Sequence, residues 1–383
     1  MQELIVKING LLEKREAVYP VQDQSYDALL QAVKLLSHCL LEKVEHERSD
    51  WTPDQRLIEK THEFIEQPVF ICGGMKTGTT LLTRLLDNHP SLMVMPGDSH
   101  YYTHLRDYSG SFEMLCEHWV QRLINPTGQR PFWFLGQNMD DYVRFLLYLD
   151  YYLKTNYDTF QSVVAAIFCA NPKRSMATMH WVEKKPENER YARWFVRRYP
   201  NAKFLHIVRD PLANIAAIKK LNEFKNIPFR AISYSVRLKH LMKIGIDNFN
   251  VLGDKTYHFI RYEDLLLETG AALSALSAHL GIPSDENLLI PSENGVPAKA
   301  NSMYSSNRIT GSIAGSRVDQ KWKDVLTQKE QEEIVTVLFS TVITQGYKHW
   351  SEMGVVNLKK SGDLGSLRIR LKEWLIALKY RLK

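Results

Sequence analysis

The first clear pattern in the chain is helical. Leu29, Leu30, Val33, Leu36, Leu40 and Leu41 recur at three- and four-residue spacing behind Ser25, a residue suited to cap a helix. A second helix is predicted after Thr52-Pro53-Asp54, with Leu57, Ile58, Thr61, Phe64 and Ile65 on one side. At Pro68 the texture changes. Val69-Phe70-Ile71-Cys72 is a short, wholly apolar, β-favouring run of the kind that fills the centre of a parallel sheet, and it meets a glycine turn and then a helix pattern from Thr79 to Asn88. A second such run, Lys203 to Val208, ends in Arg209-Asp210-Pro211; a third, Tyr257 to Ile260, ends in Arg261-Tyr262-Glu263-Asp264-Leu265. Strand, charged turn and helix, repeated at long intervals, predict an α/β protein. Between the first two strands the aromatic-rich stretch from Tyr101 to Tyr157 reads as helical and as a cap over a sheet edge. Near the end, Leu364, Leu367, Leu371, Trp374, Leu375, Leu378 and Leu382 stand at helical spacing with cations between them, which predicts a basic amphipathic helix. The expected organisation is a helical N-terminal extension over 1–66, an α/β domain over 67–350 and the basic helix within 351–383.

Composition narrows the class. The 383 residues, 44% apolar and 11% aromatic, supply a core for one large or two ordinary domains and exclude a disordered or collagen-like chain. No apolar run approaches the roughly 20 residues of a membrane span, and Met1 to Lys7 carries charges where a secretory leader needs an unbroken apolar stretch, so a cytoplasmic protein is expected. Cys39, Cys72, Cys116 and Cys169 are far apart and form no Cys-x-x-Cys; reduced, mostly buried thiols are the expectation. The net charge of +6 belongs to the tail, where eight cations between Lys359 and Lys383 face only Asp363 and Glu373. The rest of the chain is balanced, so no nucleic-acid partner is expected. The tail helix has two readings that both stand: peripheral contact with an anionic membrane, or docking on the body of the protein or a second subunit. The oligomeric state is left open.

The candidate chemistry begins at Gly73-Gly74-Met75-Lys76-Thr77-Gly78-Thr79-Thr80, between a predicted buried strand and a helix start. A glycine-flanked turn there exposes backbone N–H groups and the positive end of a helix dipole, which together bind a phosphate. The Gly73-x4-Gly78 spacing mimics the loop of nucleotide triphosphatases, but the Lys-Ser/Thr that should follow the second glycine is replaced by Thr79-Thr80, and lysine lies inside the loop. A phosphotransferase using ATP and Mg²⁺ therefore loses its main support and stands as the alternative.

Lys76-Thr77-Gly78-Thr79-Thr80 followed by Asp87-Asn88-His89-Pro90 resembles the 5′-phosphosulfate loop of sulfotransferases that use 3′-phosphoadenosine 5′-phosphosulfate (PAPS). Arg209-Asp210-Pro211 after the second strand is similar to that family's 3′-phosphate motif. Further similarities run from about Pro68 to Tyr347. Trp181-Val182-Glu183-Lys184-Lys185-Pro186-Glu187-Asn188 is similar to a Lys-Thr-Pro-Glu-Asn segment, with Lys185 in place of threonine. Arg261-Tyr262-Glu263-Asp264-Leu265 resembles the Tyr-Glu-Asp segment whose tyrosine contacts the nucleotide. Trp322-Lys323-Asp324 resembles the Trp-Lys segment beside the cofactor-closing loop, which implies Arg317 as a phosphate contact. Asp98-Ser99-His100-Tyr101-Tyr102 resembles the Glu-x-His-aromatic-aromatic segment of glycan sulfotransferases, whose glutamate is the proposed base.

The resemblance implies a P-loop-type parallel sheet flanked by helices, and a sulfotransferase that moves a sulfuryl group from PAPS to a hydroxyl of a small molecule or sugar, without a metal. It implies Gly74, Lys76, Thr77, Gly78, Thr79, Thr80, Arg209, Tyr262, Arg317 and Lys323 as cofactor-binding residues. Lys76 would sit beside the bridging oxygen, and Lys184 would be a second cation near the leaving group or the sulfonate. Asp98 or His100 would be the base, since a hydroxyl is a poor nucleophile until its proton is being removed. One departure stands out. Where many members have a serine that donates to the 3′-phosphate this chain has Ala217, so Lys219 or Lys220 is expected to substitute or nucleotide affinity to be weaker, and with the shorter carboxylate of Asp98 it leaves open a nucleotide-binding relative without activity. The aromatics Phe132, Trp133, Phe134, Tyr142, Phe145, Tyr148, Tyr151 and Tyr152 are open to two roles, acceptor pocket or core.

Overall fold

The computed structural model describes residues 1–16, 24–102, 108–124, 133–298 and 321–344. In chain order the elements are α1 (Gln2–Glu16), α2 (Gln24–Glu47), α3 (Gln55–Ile65), β1 (Pro68–Cys72), α4 (Thr79–Leu86), β2 (Leu92–Val94), α5 (Phe112–Ile124), α6 (Met139–Leu153), α7 (Thr159–Ala170) and β3 (His180–Lys184). There follow α8 (Ala192–Arg198), β4 (Lys203–Val208), α9 (Pro211–Phe224), α10 (Ala231–Leu252), β5 (Tyr257–Arg261), α11 (Tyr262–Leu267), α12 (Thr269–Leu280), the hairpin strands β6 (Ser292–Glu293) and β7 (Val296–Pro297), and α13 (Gln328–Thr344).

The α/β expectation holds. Five strands form one parallel sheet in the order β2-β3-β1-β4-β5, flanked by helices. β1 is buried at all five positions, as its unbroken apolar run requires, and five of the six residues of β4 are buried. The sheet has two strands that the apolar-run pattern does not reveal. β2 is apolar but only three residues long, too short to stand out, and β3 is interrupted by buried His180 and Glu183 and does not read as an apolar run. The C-terminal basic helix, Arg317 and Phe132 lie outside the described residues. Among those described, no helix is long and apolar enough to cross a membrane. All four cysteines are free thiols, three of them buried and Cys39 half-buried.

The chain divides into two compact units, residues 1–69 with 89–185 and residues 70–88 with 186–383. In the first unit, α2 packs on α1, α5 and α6, and α6 packs on α7. α2 begins at Gln24, so Ser25 lies inside its first turn rather than at its cap; Leu29, Val33, Leu36 and Leu40 are its buried stripe. α3 buries Leu57, Ile58, Thr61, Phe64 and Ile65, the face its spacing predicts. Tyr142, Phe145, Tyr148 and Tyr152 are interior residues of α6, which gives these aromatics the packing role. Trp181 of β3 is fully buried, stands 5.8 Å from the Phe160 ring and donates its indole N–H to the Ile65 carbonyl at 2.9 Å.

In the second unit Phe70 stacks on Phe195 at 3.9 Å and lies 5.5 Å from Phe204. Val208, Leu212, Ile215, Ile232, Val236, Met242, Trp322, Ile334 and Leu338 join β4, α9, α10 and α13 in one apolar cluster. α4 is held at its far end. Arg84 pairs with Glu293 of the hairpin, and Asp87 accepts from the Ser292 hydroxyl at 2.7 Å and the Gly295 amide at 2.8 Å. Truncating Trp181 to Ala removes a buried indole and leaves the Ile65 carbonyl without its donor, so it is expected to lower unfolding free energy by about 3–5 kcal/mol in a chemical denaturation series.

Candidate functional site

The loop after β1 keeps the geometry its sequence requires. Gly73 and Gly78 have φ of +136° and +114°, and a Cβ on Gly73 would stand 2.7 Å from the Ile207 carbonyl oxygen. Lys76 takes a left-handed φ of +65° without being glycine. Thr77 turns its hydroxyl inward to the Gly74 carbonyl at 2.8 Å. Gly78 is the N-cap of α4 and offers no side chain to it, so the amides of the first turn, including those of Thr79 and Thr80, remain available to an anion. The loop leaves the carboxyl end of β1 beside β4, where the strand order reverses, which is where open α/β sheets bind ligands.

The loop is fastened from two sides. Behind it, the Gly73 amide donates to Glu189 at 3.0 Å, the Glu187 amide donates to the Gly73 carbonyl at 3.1 Å, and Asn188 donates to the Ile71 carbonyl at 3.2 Å. Beside it, Asn214 of α9 donates to the Met75 carbonyl at 2.9 Å, and Arg209 donates to the Lys76 carbonyl at 3.1 Å. The Arg209 guanidinium also lies 4.4 Å from the centre of the Tyr262 ring, and that ring edge is what a Cβ on Gly78 would strike at 2.3 Å. Lys76, Thr77, Gly78, Arg209 and Tyr262 are thus brought together.

The cations around the loop repel one another. Burial first, then Lys225 and Arg209, push the Lys76 ammonium below the ordinary lysine range. Lys225 is a neighbour the sequence did not reveal, because nothing in a lone lysine at the end of α9 marks it. Ala217 is buried in α9. Lys219 is held by Glu330 at 2.7 Å, and Lys220 lies 3.4 Å from Glu223, so each has a carboxylate partner. Lys323 is exposed, in the short turn Lys321–Asp324, with its ammonium 5.6 Å from the ring of Trp322.

The other predicted residues gather in the first unit. Asp98 pairs with Lys184 of β3, and its side chain keeps 39% exposure while that of Lys184 has 11%. The Asp98 carbonyl accepts from Arg122 of α5, which also donates to the Pro96 carbonyl at 3.2 Å. One residue on, Ser99 donates to the buried carboxylate of Glu183. His100 has a left-handed φ of +57°. His118 is pushed down to about 4 by burial, then by Arg122 and His100, and stays neutral at physiological pH. Burial pushes the Arg122 guanidinium down while Asp98 and Glu183 pull it back up. Two cations and two carboxylates thus alternate around one turn, which leaves Asp98 partly exposed with an ammonium beside it. Arg122, 24 residues from the Asp98 carbonyl it holds, was not legible in the sequence.

Adding a methyl at Gly78 meets both the left-handed φ and the Tyr262 ring. Gly78→Ala is expected to lower stability by about 1–3 kcal/mol, with part recovered in the Gly78→Ala/Tyr262→Ala double variant; equal losses in the two would show that the ring contact is not the cause.

Residues 68–286 match the sequence model of a family described as the sulfotransferase family. No curated protein matches the chain in sequence. Among solved structures, the sulfotransferase domain from the Synechococcus PCC 7002 olefin synthase is 17% identical, with 73% of this chain and 92% of that chain covered at a TM-score of 0.45. The sulfotransferase domain from the curacin biosynthetic pathway is 20% identical, with 71% and 97% covered at 0.46. Sulfotransferase STF9 from Mycobacterium avium is 12% identical, with 88% and 96% covered at 0.39. The family match runs through more than half of the chain and takes in β1 with its loop, the Asp98 and Lys184 segments and the Arg209 turn, and the chain belongs to the sulfotransferase family.

Proposed function

We propose that the protein transfers a sulfuryl group from PAPS to a hydroxyl of a small molecule or a sugar. The observation that carries this reading is the tie between Arg209 and the loop: a guanidinium able to grip a second phosphate is fastened to the carbonyl of Lys76, inside the turn whose amides suit a first one. PAPS differs from ATP in carrying that separate 3′-phosphate and a sulfuryl group in place of a phosphoryl chain. Bound in the loop, it supplies the electrophilic sulfur.

The chain's own residues then have distinct tasks. The amides of Gly78 to Thr80 hold the 5′-phosphate, with Gly74 and Gly78 keeping the backbone close and Thr77 closing the turn through its amide and hydroxyl on the Gly74 carbonyl. Lys76 neutralises charge growing on the oxygen that leaves with the nucleotide, and its lowered proton affinity suits it to bind an anion that restores the balance. Arg209 takes the 3′-phosphate and Tyr262 packs under it. With Lys219 and Lys220 already paired, Lys225 is the cation that fills the role Ala217 leaves open. Arg317 and Lys323 keep the phosphate contacts that the family resemblance implies. Asp98 takes the acceptor proton, held in place by Lys184 and by Arg122 on its carbonyl; His100 is the second candidate base. The reading needs no metal.

Calorimetric titration tests the donor. Adenosine 3′,5′-bisphosphate is expected to bind without Mg²⁺ and at least tenfold more tightly than AMP, an advantage lost in Arg209→Ala because a charge-assisted hydrogen bond is worth about 1.5–3 kcal/mol; preference for ATP with Mg²⁺ would establish the phosphotransferase instead. In an acceptor screen with radiolabelled PAPS, Asp98→Asn is expected to lower kcat about a hundredfold or more while leaving bisphosphate affinity unchanged. Full turnover in both Asp98→Asn and His100→Ala would remove the base from this mechanism.

A further inference from the structure

Glu189 lies behind the phosphate loop, in the short turn Asn188–Tyr191, and is 1% exposed. Its Oε2 accepts the Gly73 amide at 3.0 Å, while Oε1 is enclosed and has no hydrogen-bond partner among the described residues. The groups facing it are few. Glu187 and Arg190 stand on its own turn, and the Arg190 Nε is engaged by Glu187 at 2.7 Å. From β5 comes Tyr257, whose phenol meets His206 of β4 at 2.6 Å and lies near Cys72 of β1; from α10, Asn248 donates to the Glu189 carbonyl at 2.7 Å. A carboxylate with one bare oxygen in a closed interior is unfavourable, and a proton on that oxygen relieves it.

We propose that Glu189 is a positioning residue of the phosphate loop that holds Gly73 through Oε2 and carries a proton on Oε1 when the loop holds its anion, so that anion binding takes up a proton from solvent. Gly73 opens the turn, and with its amide on Glu189 and its carbonyl on Glu187 it fixes the direction in which the loop leaves β1. A phosphate on the front of the loop then adds negative charge on the other side of the same backbone, and the two charges are incompatible at low dielectric. Burial first, reinforced by Glu187 and opposed by Glu189's own amide, the Gly73 amide and Arg190, pushes the free protein's carboxyl up to about 7, where such a proton is exchangeable near neutral pH.

This inference rests on the loop being the anion site proposed above. The test is calorimetric titration of wild type and Glu189→Gln, at pH 7 to 9, in buffers of differing ionisation enthalpy, with adenosine 3′,5′-bisphosphate and separately with ATP and Mg²⁺. Wild type is expected to take up about half a proton or more per anion bound at pH 8, and its affinity to fall by up to about tenfold per pH unit above 7. Glu189→Gln, which mimics the protonated carboxyl and keeps an acceptor for Gly73, should take up none beyond the ligand's own and show a flat profile, with affinity at pH 7 within about threefold of wild type. Equal proton counts in the two overturn the proposal. Binding of ATP alone overturns the donor reading, and the proton count on ATP still decides the role of Glu189. If neither nucleotide binds, stability decides: because the folded-state value lies above the unfolded one, wild type must lose stability relative to Glu189→Gln as pH rises from about 4.5 to about 7. Parallel curves overturn it. Should the variant not fold, absence of proton uptake by wild type at pH 8 overturns it alone.

Discussion

A loop that presents its amides to an anion cannot use the same amides to hold itself together. Around Gly73 to Gly78 the consequence is visible at nearly every backbone group that does not face outward. The Gly73 amide and carbonyl go to residues 187–189, the Gly74 carbonyl to the hydroxyl and amide of Thr77, the Met75 carbonyl to Asn214 and the Lys76 carbonyl to Arg209. Two glycines make the turn sterically feasible, but other segments supply the rigidity, one from the chain following β3 and one from α9. Charge follows the same logic. Lys225 and Arg209 stand near enough to Lys76 to lower its hold on a proton, and an anion bound as proposed would offset that repulsion.

The first unit meets the opposite demand, that of burying charge without a ligand. Glu183 is fully buried on β3, with Ser99 and Arg122 beside it, and Lys184 turns to Asp98. Successive residues of a strand point to opposite faces, so Glu183 and Lys184 draw on the Asp98-Ser99 pair from different sides. A two-residue alternation in β3 is answered by a two-residue alternation in the turn.

How much of this was legible follows from what each signal depends on. β1, β4 and β5 could be read because buried parallel strands write themselves as apolar runs, and the loop and the Arg209 turn because their distinguishing residues stand together in short contiguous stretches. β3 could not, since its buried Glu183 and His180 are satisfied by partners distant in sequence: Ser99 for the first, and for the second the Gln67 carbonyl at 3.0 Å. Arg122, Lys225 and Glu189 were missed for the same reason. Each is an ordinary charged residue on an ordinary helix or turn, and only the fold brings it to a backbone group or a charge elsewhere. Ala217 shows the converse: the vacancy was legible, but Lys219 and Lys220 look available in sequence and are occupied in space.

α4 has only eight residues, about 12 Å of helix, and both of its ends are committed. One end is the open turn of the loop, and the other carries Arg84 and Asp87 to the hairpin Ser292–Pro297. One residue more or fewer would rotate the far end by about 100° relative to the near one, carrying Arg84 and Asp87 away from their partners while the glycines stayed in place. The segment can therefore vary in side chains at its half-buried positions but not in length, and in lineages descended from this chain insertions and deletions should accumulate in other connections while this helix keeps its count.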